Sequence, residues 1–200
     1  PNCQLTRIYV DANATGANDG SSWADAFTDL QTGINAAGNT IEKTVWVAQG
    51  TYNPGTNRSD SFEIDFNLVG DDIKLYGGFD GSETNLTDRD WRNNPTILTG
   101  DVNGNDDANL TYTNTTRAEN NYNVVRVLGS DNVTIDGFTL TGGHANNVSG
   151  SPSQNRGGAI FKDGVALNFT LENCIITNNV SNREGNVNLQ TFNSQTSTIK

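Results

Sequence analysis

The chain has 200 residues, of which 34% are hydrophobic and 18% are charged. Its formal net charge of −11 makes nucleic acid and anionic membrane surfaces poor partners. The sequence contains no apolar run close to the roughly 18 residues that a membrane span needs. Its apolar residues occur in short clusters instead, which favours many short strands around a narrow core.

The first predicted elements are a strand, a loop and a helix, and together they form the segment 1–40. "TRIYV" (6–10) alternates like a strand, and "DANATGANDG" (11–20) is rich in turn-forming residues. Residues 22–37 are predicted to be the one convincing helix. We expect this helix to cover one end of a stack of strands.

The predicted helix has both a start signal and an apolar stripe. Ser22 and Asp25 resemble a capping box, and Gly38 is a stop signal. The apolar residues at helical spacing are Trp23, Phe27, Leu30 and Ile34.

Nearly the same dozen residues occur twice, as "NVTIDGFTLTGG" (132–143) and "NFTLENCIITNN" (168–179), 36 residues apart. Such a period is typical of stacked repeats. The predicted neighbours are Val133 with Phe169, Ile135 with Leu171, Phe138 with Cys174, and Leu140 with Ile176. We expect Gly142–Gly143 and Asn178–Asn179 to turn the chain at the end of each copy, because Gly and Asn tolerate a left-handed backbone.

Two further echoes extend the pattern. "VVRVLG" (124–129) is predicted to lie opposite "IFKDGV" (160–165) at the same 36-residue offset, and "NRGGAI" (155–160) matches "NREGNV" (182–187) at an offset of 27. Repeats of variable length with a fixed strand pattern indicate loops inserted on a regular scaffold.

These observations predict an all-β fold, a right-handed parallel β-helix with one N-terminal capping α-helix. Residues 41–200 are predicted to form its turns. We expect them to continue beyond the end of the sequence. The chain begins at Pro1 and has no methionine, so we also expect it to be a processed product or a segment of a longer protein.

Six stretches resemble right-handed parallel β-helix segments of large secreted bacterial surface proteins. They are "IYVDANATGANDGSSWADAFTDLQTGINAA", "VWVAQGTYNP", "LYGGFDGSETNLTDRDW", "TILTGD", "NVTIDGFTLTGG" and "RGGAI". Those proteins are related to the pectate-lyase-like superfamily and to polymorphic outer-membrane proteins. The resemblance covers about residues 6–185. It departs from the polymorphic-protein signature at "IITN" (175–178), where "FxxN" is usual. It implies a fold more than a function, because such folds host lyases, hydrolases, adhesins and inert stalks.

"GDVNGNDD" (100–107) carries oxygen ligands at the spacing of a calcium loop. The candidate ligands are Asp101, Asn103, Asn105 and Asp107. Asp106 stands where an EF-hand needs Gly, and Tyr112 stands where it needs Glu, so an EF-hand is excluded. The pattern leaves open a looser Ca²⁺ site and a solvated acidic loop without metal.

No catalytic residue is assigned from the sequence. The adjacent acids Asp71–Asp72 and Asp106–Asp107 would point to opposite faces of a strand. His144, the one histidine, is predicted to be an exposed loop residue, and Cys174 a buried inert thiol. Cys3 and Cys174 are too far apart in sequence to indicate a disulfide framework.

Nine N-x-[ST] sequons are candidates for glycosylation. They are Asn13, Asn57, Asn85, Asn109, Asn114, Asn132, Asn147, Asn168 and Asn179.

The sequence favours a non-catalytic structural or adhesive domain that is secreted or lies at the cell surface. Its expected partners are extracellular matrix, a host or polysaccharide surface, or further copies of the same protein in a filament. A carbohydrate-binding or polysaccharide-cleaving domain, lyase-like or hydrolase-like, is the alternative. A flat ice-binding face would need a longer Thr-x-Thr ladder than "TLT" (139–141) provides.

Overall fold

The computed structural model describes residues 4–163 and 168–189, and the backbone of residues 196–199. The strands are β1 (Ile8–Val10), β2 (Thr44–Ala48), β3 (Gly50–Tyr52), β4 (Phe62–Asp65), β5 (Lys74–Phe79), β6 (Thr96–Thr99), β7 (Val125–Leu128), β8 (Val133–Asp136), β9 (Phe138–Thr141), β10 (His144–Ala145), β11 (Ile160–Asp163), β12 (Asn168–Glu172), β13 (Ile175–Ile176), β14 (Val180–Ser181), β15 (Val187–Leu189) and β16 (Thr196–Ile199). The α-helices are α1 (Leu30–Ala37), α2 (Phe66–Val69) and α3 (Pro152–Asn155), and 3-10 turns occur at Leu86–Asp88 and Thr115–Arg117.

The strands are divided among four sheets in which neighbouring strands run parallel. A six-stranded sheet has the order β1-β2-β5-β8-β12-β16, and two four-stranded sheets have the orders β15-β11-β7-β4 and β13-β9-β6-β3. Strands β10 and β14 form a separate pair. From β2 onward the chain passes through the three larger sheets in rotation, so strands that pair are far apart in sequence. Their apolar side chains meet in one core.

The predicted fold class, an all-β right-handed parallel β-helix with one N-terminal capping helix, is wrong. The strands belong to several separate parallel sheets, and α-helices occur at three places along the described chain. Helix α2 begins where the Asp65 carboxylate accepts the Asn67 N–H (2.9 Å). Helix α3 begins with Pro152 at its first turn, inside a capping box formed by Ser151 and Gln154.

The predicted helix also begins eight residues too early. Ser22 and Asp25 do bond to each other, since the Asp25 N–H donates to Ser22 Oγ (3.1 Å). However, the Asp25 carbonyl accepts N–H groups from the 11–20 loop, and the Phe27 N–H donates to the Tyr9 carbonyl (3.0 Å). These backbone groups are therefore not free for helical bonds. The helix starts at Leu30, where the Asp29 carboxylate accepts the Thr32 N–H (2.7 Å).

The 36-residue repeat has the predicted register. In the six-stranded sheet, β8 pairs with β12 so that Val133 lies beside Phe169 and Ile135 beside Leu171. In the β3–β13 sheet, Leu140 lies beside Ile176. Three of the four predicted pairs are thus confirmed directly. In this register, apolar side chains of neighbouring strands lie beside each other in the core. A one-residue shift would turn each of them to the opposite face, so the register is strongly specified.

The similar segments 124–129 and 160–165 pair at a different offset from the predicted one. Ile160 pairs with Val125, at an offset of 35 rather than 36. The connection from Leu128 to Val133 is therefore one residue shorter than the matching connection from Asp163 to Phe169. The echo at an offset of 27 is confirmed, because Ile160 also pairs with Val187.

The turns of the repeat are conformationally equivalent as well. Gly137 and Asn173 both have positive φ angles (86° and 51°), and so do Gly142 and Asn178 (76° and 53°). Each pair is separated by 36 residues. The prediction that Gly142 and Asn178 turn the chain is confirmed, because both adopt the left-handed backbone that Gly and Asn tolerate.

Two isoleucines of the repeat differ in burial, so truncating each to alanine should change the free energy of unfolding by different amounts. Ile135 is fully buried, whereas Ile175 is 51% exposed. Ile135→Ala should lower the free energy of unfolding by about 2–5 kcal/mol, because it leaves a cavity in the core. Ile175→Ala, the matched control, should change it by less than about 1 kcal/mol. Urea denaturation measures both, and equal losses would contradict the described packing.

Candidate functional site

The predicted calcium loop closes on its own first residue. Asp101 Oδ1 accepts the backbone N–H groups of Gly104 (2.8 Å) and Asn105 (3.3 Å), and its Oδ2 accepts the Asp106 N–H (3.3 Å). The Asn103 side chain is exposed. The Asn105 amide, in the orientation that satisfies its neighbours, donates to the carbonyl of Thr116 (3.1 Å). The loop is therefore held by hydrogen bonds to the Asp101 carboxylate and by one to the carbonyl of Thr116.

The structure brings two of the four candidate ligands to one cavity. Asp101 and Asp107 line a cavity of about 400 Å³ together with Asp106 and the buried Arg117. Asp107 Oδ1 accepts the Asn109 N–H (2.8 Å) and the Asn114 amide (2.6 Å). Binding of Ca²⁺ to Asp101, Asn103, Asn105 and Asp107 stays a prediction. In residues 4–163 and 168–189, no three His, Cys, Asp or Glu side chains converge closely enough to hold a metal ion.

Asp106, which the calcium pattern counts as a departure, forms the main electrostatic contact of this cavity. Its Oδ2 lies 2.9 Å from Nη1 of Arg117, whose side chain is 1% exposed. Burial raises the pKa of Asp106, while the hydrogen bond from Asn120 and the charge of Arg117 act in the opposite direction. Arg117 also donates to the carbonyl of Asn178 (2.9 Å), so it ties the 100–122 segment to the second copy of the repeat.

His144 is fully buried in β10, so the prediction that it is an exposed loop residue is wrong. Its Nδ1 lies 2.7 Å from the carbonyl oxygen of Arg117, and its Nε2 lies 3.1 Å from that of Tyr112. Both carbonyls belong to the segment that folds over the histidine. Burial lowers the pKa of His144, and the charges of Arg58 and Arg117 act in the same direction. The contacts with the carbonyls of Arg117 and Tyr112 act in the opposite direction and offset part of this effect.

Cys174 is half-buried, whereas the sequence predicted a buried thiol, but its chemistry is that of an inert one. Burial raises its pKa to about 11, so it is a poor nucleophile at neutral pH. Its Sγ donates to the carbonyl of Glu172 (3.2 Å). Cys3 lies outside the described residues.

The sequon asparagines differ in exposure. Six have exposed side chains, namely Asn13, Asn57, Asn85, Asn109, Asn132 and Asn168, and Asn147 is half-buried. Asn114 and Asn179 are buried, and their amide nitrogens donate to main-chain carbonyls. A glycan on either of those two nitrogens would remove these bonds. Glycosylation of the exposed sequons stays a prediction.

The outer face of the six-stranded sheet carries polar and aromatic side chains in two parallel rows. One row consists of Thr44, Lys74, Thr134 and Thr170, and the other consists of Trp46, Tyr76, Asp136 and Glu172. Members of a row lie on neighbouring strands, about 4.8 Å apart along the sheet. The row that contains Asp136 and Glu172 was not predicted from the sequence, although the acid in the fifth place of both repeat copies was a signal for it.

Asp136 is the best-connected member of these rows. Its carboxylate is paired with Arg89 and accepts the Asn173 amide (2.8 Å). Arg89 also lies over the ring of Tyr76, with 5.3 Å from its Cζ to the ring centroid. Glu172 follows Asp136 on the next strand. Two carboxylates are thus in register, and a cation fixes one of them.

An aromatic cluster supports the β1–β2–β5 end of the outer face. Trp46 is buried and stacks on Phe79 with 4.6 Å between ring centroids. The guanidinium of Arg7 covers the Trp46 ring at 4.2 Å. Trp23 packs against Tyr9 at 4.8 Å and donates from Nε1 to the carbonyl of Glu83 (3.0 Å). Trp46 is therefore a buried residue that supports this face.

None of the helices in the described part of the chain is long and apolar enough to cross a membrane. No family model, curated protein or solved structure matches the chain.

The Asp106–Arg117 pair predicts a large effect of removing the cation alone. Arg117→Met leaves a half-buried carboxylate without its counter-ion and should lower the free energy of unfolding by about 3–5 kcal/mol. Adding Asp106→Asn should restore part of that loss, because no unpaired charge then remains. Arg92→Met removes an exposed arginine and is the control, with an expected change below about 0.5 kcal/mol. Chemical denaturation checks all three, and a fully stable Arg117→Met variant would contradict the assigned pair.

Burial of His144 predicts a stability that falls with acidification. Its pKa is lowered in the folded state from the ordinary value of 6.5, so the unfolded chain binds the proton more readily. The contribution is present above pH 6.5 and is lost as the pH falls through the lowered pKa. A tenfold difference in proton affinity between the folded and unfolded chains corresponds to a loss of about 1.4 kcal/mol.

Urea denaturation between pH 7.5 and pH 5 should show this loss of stability. The His144→Gln variant should show a flatter profile in that window, because glutamine does not titrate. Identical profiles for the two proteins would refute the assignment to His144.

Proposed function

We propose that the chain is a structural or adhesive domain of a secreted or cell-surface protein that contacts other surfaces without converting a substrate. The observation that carries this proposal is the outer face of the six-stranded sheet. Its two in-register rows present hydroxyl, aromatic and charged groups at regular spacing, which suits contact with an extended partner. Extracellular matrix, host or polysaccharide surfaces and further copies of the chain are the proposed partners.

The charges of the molecule support a contact role over catalysis. Asp136 is neutralised by Arg89, and Asp106 by Arg117, so each of these carboxylates already has a cation partner. A general acid or base must instead be within reach of a substrate proton. The exposed sequons and the net charge of −11 are consistent with an extracellular protein that does not bind nucleic acid.

A second candidate function, polysaccharide cleavage, is favoured by one observation. Asp136 and Glu172 are adjacent across two strands. Strands lie about 4.8 Å apart, close to the 5–5.5 Å between the carboxyl groups of retaining glycosidases. Glu172 has no ion-pair partner among the described residues, so it is the group to test as the acid, base or nucleophile.

The purified chain should be retained on at least one of a panel of immobilised acidic and neutral polysaccharides. It should release no reducing ends or unsaturated products from polygalacturonate, alginate or xylan. Product release that the Glu172→Gln variant lacks would establish the second candidate instead. Failure to bind any polysaccharide, any matrix protein or a second copy would refute the adhesive proposal.

A further inference from the structure

A pocket of about 400 Å³ opens at the β1–β2–β5 end of the outer face. Arg7, Thr44 and Lys74 lie along one side of it, and Tyr76 lies beside them on the next row. Arg7 directly precedes β1, whose Ile8 pairs with Val45, so Arg7 continues the row of Thr44 and Lys74. Residues 84–87 form the opposite wall. Two cations, one directly before β1 and one in β5, therefore line the same open pocket.

The charge of this pocket is opposite to that of the whole molecule. Glu42 is the one carboxylate among the lining residues, and its contact with Arg7 is loose at 3.7 Å. Lys74 has an exposed side chain and no ion-pair partner in the described part of the chain. The pocket thus keeps a net positive charge in a chain whose net charge is −11. An anion is the ligand that this charge favours.

Arg7 is held in position before any ligand arrives. Its guanidinium lies 4.2 Å from the centroid of the Trp46 ring, and Trp46 is itself fixed by stacking on Phe79 at 4.6 Å. An arginine stacked through its face still has its N–H edge free for a planar anion. Tyr76 is half-buried, and Arg89 lies over one face of its ring. Its hydroxyl makes no hydrogen bond to the described residues, so the hydroxyl and the ring face away from Arg89 are the parts left for a ligand.

The rest of the outer face limits how many charges the ligand carries. The row of Lys74 continues with the neutral Thr134 and Thr170, while the row of Tyr76 continues with Asp136 and Glu172. A polymer with an acid on every sugar would bring further anions toward Glu172, which repels them. A ligand with one anionic group at one end and neutral hydroxyl groups elsewhere fits both parts of the face.

We propose that this pocket binds a glycan carrying a single carboxylate or sulfate, with the anion between Arg7 and Lys74 and the sugar ring against Tyr76. The proposal rests on the proposed adhesive function and names its ligand class. Aromatic stacking and charge-assisted hydrogen bonds together are sufficient for recognition of such a sugar.

Isothermal titration of the full chain with four probes tests the proposal. Glucuronic acid or glucose 6-sulfate should bind at least about tenfold more tightly than glucose, because each charge-assisted hydrogen bond contributes about tenfold or more. The comparison of these two acids identifies the anionic group. Trigalacturonic acid should bind no more tightly than glucuronic acid, and stronger binding would overturn the single-anion assignment.

Variants locate the binding in the pocket. Lys74→Gln should weaken the acidic probe about tenfold and leave the affinity for glucose unchanged, and Tyr76→Ala should weaken both. Arg183→Gln removes an exposed cation outside the pocket and is the matched control, with an expected change below twofold. If the chain adheres to polysaccharides but Lys74→Gln binds the acidic probe normally, the pocket assignment fails and the adhesive function stands. If wild type binds none of the four probes, the ligand class is wrong, and the polysaccharide panel decides the adhesive function separately.

Discussion

Parallel pairing in register is the constraint on which the structure depends. None of the strands in the described residues has a hairpin partner. Their backbone N–H and C=O groups are satisfied by strands that lie far away in the sequence. The pairing is specific because a one-residue shift would move every core side chain to the outer face. The same register creates the outer rows. Side chains alternate between the core and the outer face along each strand, so strands that align their core residues also align their outward residues. The register of the strands therefore determines both the packing of the core and the arrangement of side chains on the outer face.

The parts that the sequence predicted well are those set by local pattern. The strands of the repeat, their neighbours and the turns at Gly142 and Asn178 follow from periodicity and from residues that tolerate positive φ. The start of α1 did not follow, because the backbone groups near Asp25 and Phe27 bond to a loop and a strand that local propensity does not consider. The division into four sheets with three helices was missed for a similar reason. His144 was misjudged because its burial depends on a segment some 30 residues away.

The 100–122 segment shows how a polar insertion is accommodated on this framework. Arg117 in this segment and His144 beneath it are both buried, and nearly all of their polar atoms contact main-chain carbonyls or Asp106. The segment is therefore tied to the strands by directional bonds more than by apolar packing. Buried hydrogen-bond networks of this kind favour one arrangement of the segment. Removing one side chain from such a network breaks more than one hydrogen bond. This makes the segment a rigid part of the surface around the acidic cavity.

The unequal spacing of the strands has a consequence for the order in which the chain can fold. Leu75 pairs with Ile135, 60 residues later, whereas Ile135 pairs with Leu171, only 36 residues later. Less than a doubling of loop length adds under about 0.6 kcal/mol of closure entropy, so the longer crossover hardly affects equilibrium stability. Folding rates depend more strongly on the sequence separation of contacts. The N-terminal strands β2 and β5 pair at a separation of only 30 residues, as Thr44 with Lys74. This pair and the two repeat copies are thus two kinetically favoured nuclei, and the longer β5–β8 pairing is expected to join them afterwards.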